Sequence, residues 1–225
     1  RAAEPTYLPL AESSPGGYSS QAASHILENV AEYNSLLIGC GIGQAPETRK
    51  MLHRLLYSEA SLPPTVIDAD ALNLLALSGG IPWWERFPDN AIVTPHPGEM
   101  ARLTGLSPNT VQKDRIGTAT DTATKWNKVV VLKGAHTIIS SPGHQTMVSP
   151  FANPGLATAG SGDVLAGIIA SLLAQGLIPH DAATLGVYLH GIAGEFVTNP
   201  LGNTGVIASD LLTALPQAIK DLRGG

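Results

Sequence analysis

One cysteine in 225 residues sets the first limit on this chain. Cys40 has no partner for an internal disulfide, and no Cys/His cluster has zinc spacing, so neither kind of staple holds the fold. Charge is also sparse. Only 14% of residues are charged against 44% hydrophobic, which excludes an intrinsically disordered chain. The 13 Lys and Arg are outnumbered by 18 Asp and Glu, leaving −5 and no basic block, and this argues against duplex nucleic acid as a partner. Long apolar runs are missing as well: Val164 to Ala174 is broken by Gly167 and Ser171 and is too short to span a bilayer. The opening RAAEPTYLPLAESSPGG is polar and carries proline and glycine, unlike a signal or transit peptide. These absences lead us to expect a soluble, cytoplasmic, globular protein with no membrane partner. Its length suffices to bury about 70% of its unfolded surface without help.

Strand-like apolar runs alternate with helical patterns along most of the sequence. Ser35–Ile38, Thr65–Ile67, Ala91–Thr94 and Val129–Lys133 read as buried strands, the last because β-branched residues resist helix and suit a parallel sheet. Between them, Glu47–Tyr57 is amphipathic, a helix carrying Leu72, Leu74, Leu75 and Leu77 stops at Gly79-Gly80, and Pro97–Thr104 and Thr110–Asn127 follow as helices. Thr137–Ser140 and Gln145–Val148 predict a hairpin, and Gly162–Gln175, Pro179–Thr198 and Ile207–Arg223 predict three closing helices. Residues 1–24, with the Ser/Gly/Pro cluster at 13–20, are expected to be a loose segment of a single domain. The alternation predicts an α/β fold, a mostly parallel sheet with helices on both faces, with ligands beyond the carboxyl ends of its strands.

Five motifs fall at such strand ends or helix starts. Asn153 opens the segment NPGLATAGSGD, whose Gly155, Gly160 and Gly162 admit close backbone approach and whose end starts a helix, a natural phosphate site. Asp163 repels phosphate but suits a base taking a proton from a neighbouring hydroxyl; plain helix capping is the competing reading. Gly39-Cys-Gly-Ile-Gly43 is either a weak dinucleotide fingerprint, with Asp68 as its acid, or a tight turn. Asp68, Asp70 and Asn73 orient substrate hydroxyls or waters around Mg²⁺, or they cap a helix. His96 is fixed between Pro95 and Pro97, with Glu99 three residues on as its partner or a cation ligand. Lys133 in Lys133-Gly-Ala-His-Thr137 offers a point charge to phosphate. His190 reads as a core histidine, and Trp83, Trp84 and Trp126 as packing or interface residues.

In this order, GCGIG, DADALN, TPHPGE, KGAHT and NPGLATAGSGDVLAG resemble the ADP-dependent NAD(P)H-hydrate dehydratases, a carbohydrate-kinase-like family, from about Leu36 to the last helix. The resemblance implies a ribokinase-like three-layer α/β/α fold and repair of hydrated NADH and NADPH, with ADP (or ATP) as co-substrate and Mg²⁺. It implies Asp163 as catalytic base, and Gly43, His96 and Asp163 as contacts to the hydrated nucleotide. Lys133, Gly134, Ala135, His136, Thr137, Gly160, Ser161 and Gly162 would form the adenine-nucleotide site, with Asp70, Asn73, Glu99 and Asn153 as secondary candidates. Cys40 stands where relatives usually carry proline. Family members begin with a strand, a glycine-rich segment and a helix before the matched region, and nothing corresponding precedes Arg1; the resemblance thus implies a domain short at that end. A hydroxyethylthiazole kinase-like enzyme of the same fold, or an inactive nucleotide-binding remnant, is the alternative.

The aromatic loop Trp83-Trp84 with Phe87, and a helix apolar around its circumference from Leu185 to Val197, predict association. The resemblance points to a homo-oligomer, with a tetramer favoured.

Overall fold

A computed structural model describes residues 4–14, 17–58, 60–78, 82–89 and 91–224. The expected stop at Gly79-Gly80 lies outside the described residues. At its centre is a six-stranded sheet in the order β3 (Leu36–Ile38), β4 (Thr65–Ile67), β5 (Ile92–Val93), β6 (Val129–Leu132), β7 (Ile138–Ser140) and β8 (Met147–Val148). The first four run parallel, with Leu36 opposite Thr65, Val66 opposite Ile92 and Ile92 opposite Val129; β7 and β8 fold back antiparallel as the expected hairpin.

Alternation along the strands divides the core in two. Ile67, Val93, Val130, Leu132 and Ile138 face one apolar cluster with α2 (Pro46–Leu56), α3 (Ala69–Ala76), α4 (Pro97–Thr104) and α6 (Arg115–Trp126). Val66, Ile92, Val129, Val131 and Ile139 face the other, with α7 (Ser161–Ala174), α8 (Pro179–Leu201) and α9 (Ala208–Leu222). The result is the three-layer α/β/α arrangement expected.

Two departures matter. The helix expected over 110–127 is divided at Asp114 (φ −138°, ψ 75°) into α5 (Pro108–Lys113) and α6. The Asp114 carboxylate accepts the Gly117 N–H at 2.8 Å, so the residue caps a new helix instead of continuing the old one. Ahead of β3, where no element was read from the sequence, β1 (Glu12–Ser14) pairs antiparallel with β2 (Gly17–Tyr18) and is followed by α1 (Ala22–Val30). The Tyr18 N–H donates to Thr48 Oγ1 at 3.2 Å, tying this segment to α2.

The aromatic loop packs inward. Trp83 and Trp126 are 3% and 2% exposed, with centroids 4.9 Å apart, and Phe87 meets Trp83 edge-on at 5.6 Å. Helix α8 is covered by α7 and α9, burying Val187, Leu189, Ala193 and Val197. Much of the aromatic loop and of α8 is thus packed within the chain, while Tyr188 on α8 stays 38% exposed.

Candidate active site

The loops leaving β3, β4, β5 and β6 meet the start of α7 at the carboxyl edge of the sheet. The first can pass only as glycine. Gly39 has φ +130°, and a Cβ there would lie 1.8 Å from the Asp68 carbonyl oxygen. Four residues on, Gly43 donates its N–H to Asp70 Oδ2 at 3.0 Å, and Gln44 Nε2 donates to Oδ1 at 2.8 Å. Asp70 thus braces the glycine turn.

Asp68 ends β4 with its side chain buried at 1% exposure. It stands at the cap position of α3 but accepts no capping bond, because its Oδ1 meets Lys133 Nζ at 2.6 Å across the end of β5. Lys133 Nζ also lies 3.9 Å from Glu99 Oε2. Burial pushes the Glu99 carboxyl above its ordinary range, with Lys133 opposing. On the other side, Cys40 Sγ is 3.9 Å from Asp68 Oδ2. Burial, followed by the charges of Asp68 and Asp163, pushes the Cys40 thiol up to about 12. Ligand atoms of Cys40, Asp68 and Asp163 all lie within 4.8 Å of one another. The two carboxylates provide the hard oxygen donors that Mg²⁺ takes; a protonated thiol does not suit it.

His96 is the N-cap of α4. Its Nδ1 accepts the N–H of Gly98 at 3.0 Å, and Glu99 Oε2 accepts the His96 N–H at 2.8 Å, a reciprocal box. The imidazole stays half exposed at the rim, and burial together with Lys133 and Arg102 holds it below its ordinary pKa.

Beside this charged cluster opens a cavity of about 320 Å³. Lys133, Gly134, Ala135 and Thr137 form one wall, Ser161 and Gly162 the floor, and Asn153 and Phe151 the far side. Its floor is the first turn of α7, whose cap, Gly160, sits in the left-handed region (φ +83°) and supplies no side chain to the helix amides. Asp163 projects from that turn, exposed, so it does not cap the helix either. Gly162 is open where a Cβ would come 3.4 Å from Lys133 Nζ. His190, 8% exposed, reaches from α8 to Ser161, with Nε2 3.0 Å from both its Oγ and its carbonyl oxygen. Burial lowers its pKa to about 4, so a neutral imidazole holds the helix start.

Of the residues singled out in the sequence, Lys133, Gly134, Ala135, Thr137, Ser161, Gly162 and Asn153 line the cavity. Asn153 is also anchored, donating to Thr198 Oγ1 at 2.7 Å and accepting from the Gly155 N–H at 2.9 Å. His136 does not line the cavity: its N–H donates to the Phe151 carbonyl at 2.8 Å. Asn73 is drawn into a separate depression, where its Oδ1 accepts from Arg102 Nε at 2.9 Å. Sequence reasoning weighed Asp68 without placing it in the site, and missed Arg115, whose guanidinium holds carbonyls of the Lys133 loop. An acid and a lysine at the carboxyl ends of two strands were the available signal for the first; nothing short of the helix break points to the second.

A phosphate-receiving helix start, an exposed acid upon it, and a buried carboxylate–lysine pair between cavity and rim make a site suited to phosphoryl transfer to a hydroxyl. Residues 4–217 match the family model described as NAD(P)H-hydrate dehydratase. The chain is 44% identical over 215 residues to the bifunctional NAD(P)H-hydrate repair enzyme Nnr of Moorella thermoacetica, covering 96% of this chain and 40% of that protein. It is 40% identical over 184 residues to the ADP-dependent (S)-NAD(P)H-hydrate dehydratase of Neisseria meningitidis, covering 81% and 62%. The first curated relatives it matches are much longer; the chain spans about two fifths of their length. The ADP/ATP-dependent NAD(P)H-hydrate dehydratase of Bacillus subtilis, crystallised with ATP/Mg²⁺, superposes with a TM-score of 0.72 at 29% identity, covering 91% of this chain and 77% of that one.

Proposed function

This chain belongs to the NAD(P)H-hydrate dehydratase family, and on that premise we propose that it uses ADP to drive water out of hydrated NADH and NADPH. The observation that carries the reading is Asp163: an exposed acid on the uncapped first turn of α7, whose carboxylate lies within 4.8 Å of that of buried Asp68, the partner of Lys133 on the cavity wall.

In this reading the adenine nucleotide occupies the cavity along Lys133–Thr137, with its phosphates over Gly160–Gly162, where the helix amides and dipole receive negative charge. The hydrated nicotinamide ring lies at the rim near Gly43 and His96. Asp163 accepts the proton of the ring hydroxyl, and that oxygen bonds to the terminal phosphorus of ADP as the bond to AMP breaks. The ring carbon–oxygen bond then breaks, phosphate departs with the electron pair, and a proton leaves the neighbouring ring carbon. Phosphate is the better leaving group, which is why a nucleotide is spent on a dehydration. Asp163 and Asp68 are the carboxylates that would hold Mg²⁺, which when bound offsets the charge on the transferred phosphoryl group. His96, its Nδ1 engaged in capping, positions substrate and does not shuttle protons.

Incubation with ADP, Mg²⁺ and hydrated NADH, read by the return of dihydronicotinamide absorbance and the release of AMP, tests the reading. No absorbance gain, with ADP consumed on hydroxyethylthiazole instead, would turn the assignment to a small-alcohol kinase. The hydroxyethylthiazole kinase of Pyrococcus horikoshii shares the fold at 18% identity and a TM-score of 0.68.

A further inference from the structure

We propose that Arg115 is a positioning residue for the nucleotide, clamping the Lys133–Ala135 loop by its carbonyls so that the Gly134 N–H is aimed into the cavity as a donor to the adenine nucleotide. The proposal rests on the reading of that cavity as the nucleotide site.

Arg115 is the first residue of α6, and the break at Asp114 turns it toward the sheet. Its Nη1 donates to the Ala135 carbonyl at 2.5 Å, and Nη2 donates to the carbonyls of Leu132 and Lys133 at 3.2 and 3.4 Å. Among the described residues no carboxylate pairs with it, and its Nε is buried without a partner. A guanidinium kept partly out of water without an anion carries a desolvation cost that only its bonds to the three loop carbonyls offset. Gly134 shows how close the clamp sits. With φ +143°, it is left-handed, and a Cβ there would lie 2.9 Å from Arg115 Nη2.

The consequence follows from peptide geometry. No peptide bond among the described residues is cis, so a carbonyl turned toward Arg115 sends the N–H of the same plane the opposite way. Three planes are turned in this manner. The N–H paired with the Leu132 carbonyl, that of Lys133, donates to the Pro95 carbonyl at 2.9 Å. The N–H paired with the Ala135 carbonyl, that of His136, donates to Phe151. The middle one, the Gly134 N–H, has no protein acceptor among the described residues, and Gly134 lines the cavity. Arg115 thus fixes a donor that only a ligand satisfies.

The test is direct ADP binding by calorimetry on the full chain, with steady-state kinetics and the Gly134 amide proton resonance. Wild type should bind ADP and shift that resonance downfield. Arg115→Ala should weaken ADP about tenfold and abolish the shift, while kcat at saturating ADP and KM for the hydrate stay within about twofold. Methylguanidinium should restore part of the affinity. Arg115→Lys, which keeps the charge but not the planar fork, should fall between, and it carries the same test should the alanine variant not fold. Unchanged ADP affinity in Arg115→Ala or Arg115→Lys overturns the proposal, as does a parallel change in kcat and both KM values. Wild type failing to bind ADP sinks the nucleotide reading of the cavity itself.

Discussion

Strand β6 carries a lysine at each end, and the two live in opposite circumstances. Lys128, at the amino end, has a side chain 1% exposed, yet its acid, Asp89, is 82% exposed at 3.3 Å; the Asn127 carbonyl, at 3.1 Å, is its other acceptor. There the cation is buried and the anion solvated. At the carboxyl end the order is reversed: Lys133 is 18% exposed at the cavity wall, while Asp68 and Glu99 are 1% and 5% exposed. Burial lowers the pKa of Lys128, the mark of a charge hidden without full return. Removing Lys133 would strand buried carboxylates, whereas removing Lys128 strands an aspartate already in water. The carboxyl end is built around its buried anions; the amino end merely tolerates a buried cation.

The sharpest test of that contrast is Asp163→Asn, which should cut turnover about a thousandfold through loss of the base while ADP affinity holds within about twofold. Near-wild-type turnover would deprive the carboxyl end of its chemistry. Lys133→Met should next cost about 3 kcal/mol in urea unfolding, and Asp68→Asn in the same chain should return part of it, because the stranded charge is what costs. An unchanged midpoint would mean the pair is not buried as described.

His190 tests how dry the floor of the site is. Its folded pKa of about 4 lies below the ordinary 6.5, so as the pH falls the unfolded chain takes up the proton first. The stability it protects is intact above pH 6.5 and drains between there and pH 4, by on the order of 3 kcal/mol at the acid end. His190→Gln should flatten that part of the stability–pH curve, and an unaltered slope would place the titration elsewhere. The smallest change belongs to Lys128→Met: stability within about 1 kcal/mol of wild type and turnover unaltered, since an apolar replacement of similar shape removes a desolvation cost along with a weak pair. A large loss at Lys128 would erase the distinction between the two ends.

Much of this was legible in the chain. The Val129–Lys133 run, the Pro97 and Pro179 helix starts, and the glycine approach to Asp163 each carry their signal within a few residues, and the structure has β6, α4, α8 and α7 in those places. His190 and the tryptophans read correctly as packed residues. His96 was legible as fixed but not as a cap, since its acceptor role depends on the ring turning back over Gly98 and Glu99. The bracing of Gly43 by Asp70 joins residues 27 positions apart, and no local pattern announces it.

Sequence alone determined the alternation of strands and helices, the parallel sheet, and the motifs at its carboxyl edge, because propensity, periodicity and glycine tolerance act over short spans. Tertiary structure decided which charges meet. Asp68 and Lys133 stand 65 residues apart in sequence and 2.6 Å apart in space because β4 and β6 flank β5 in one parallel layer. It also decided where α6 begins, since a helix of favourable sequence was interrupted at Asp114 and Arg115 turned onto the loop behind the cavity. Pairings across a sheet are set by strand order and depth of burial, quantities that exist only once the chain has closed on itself.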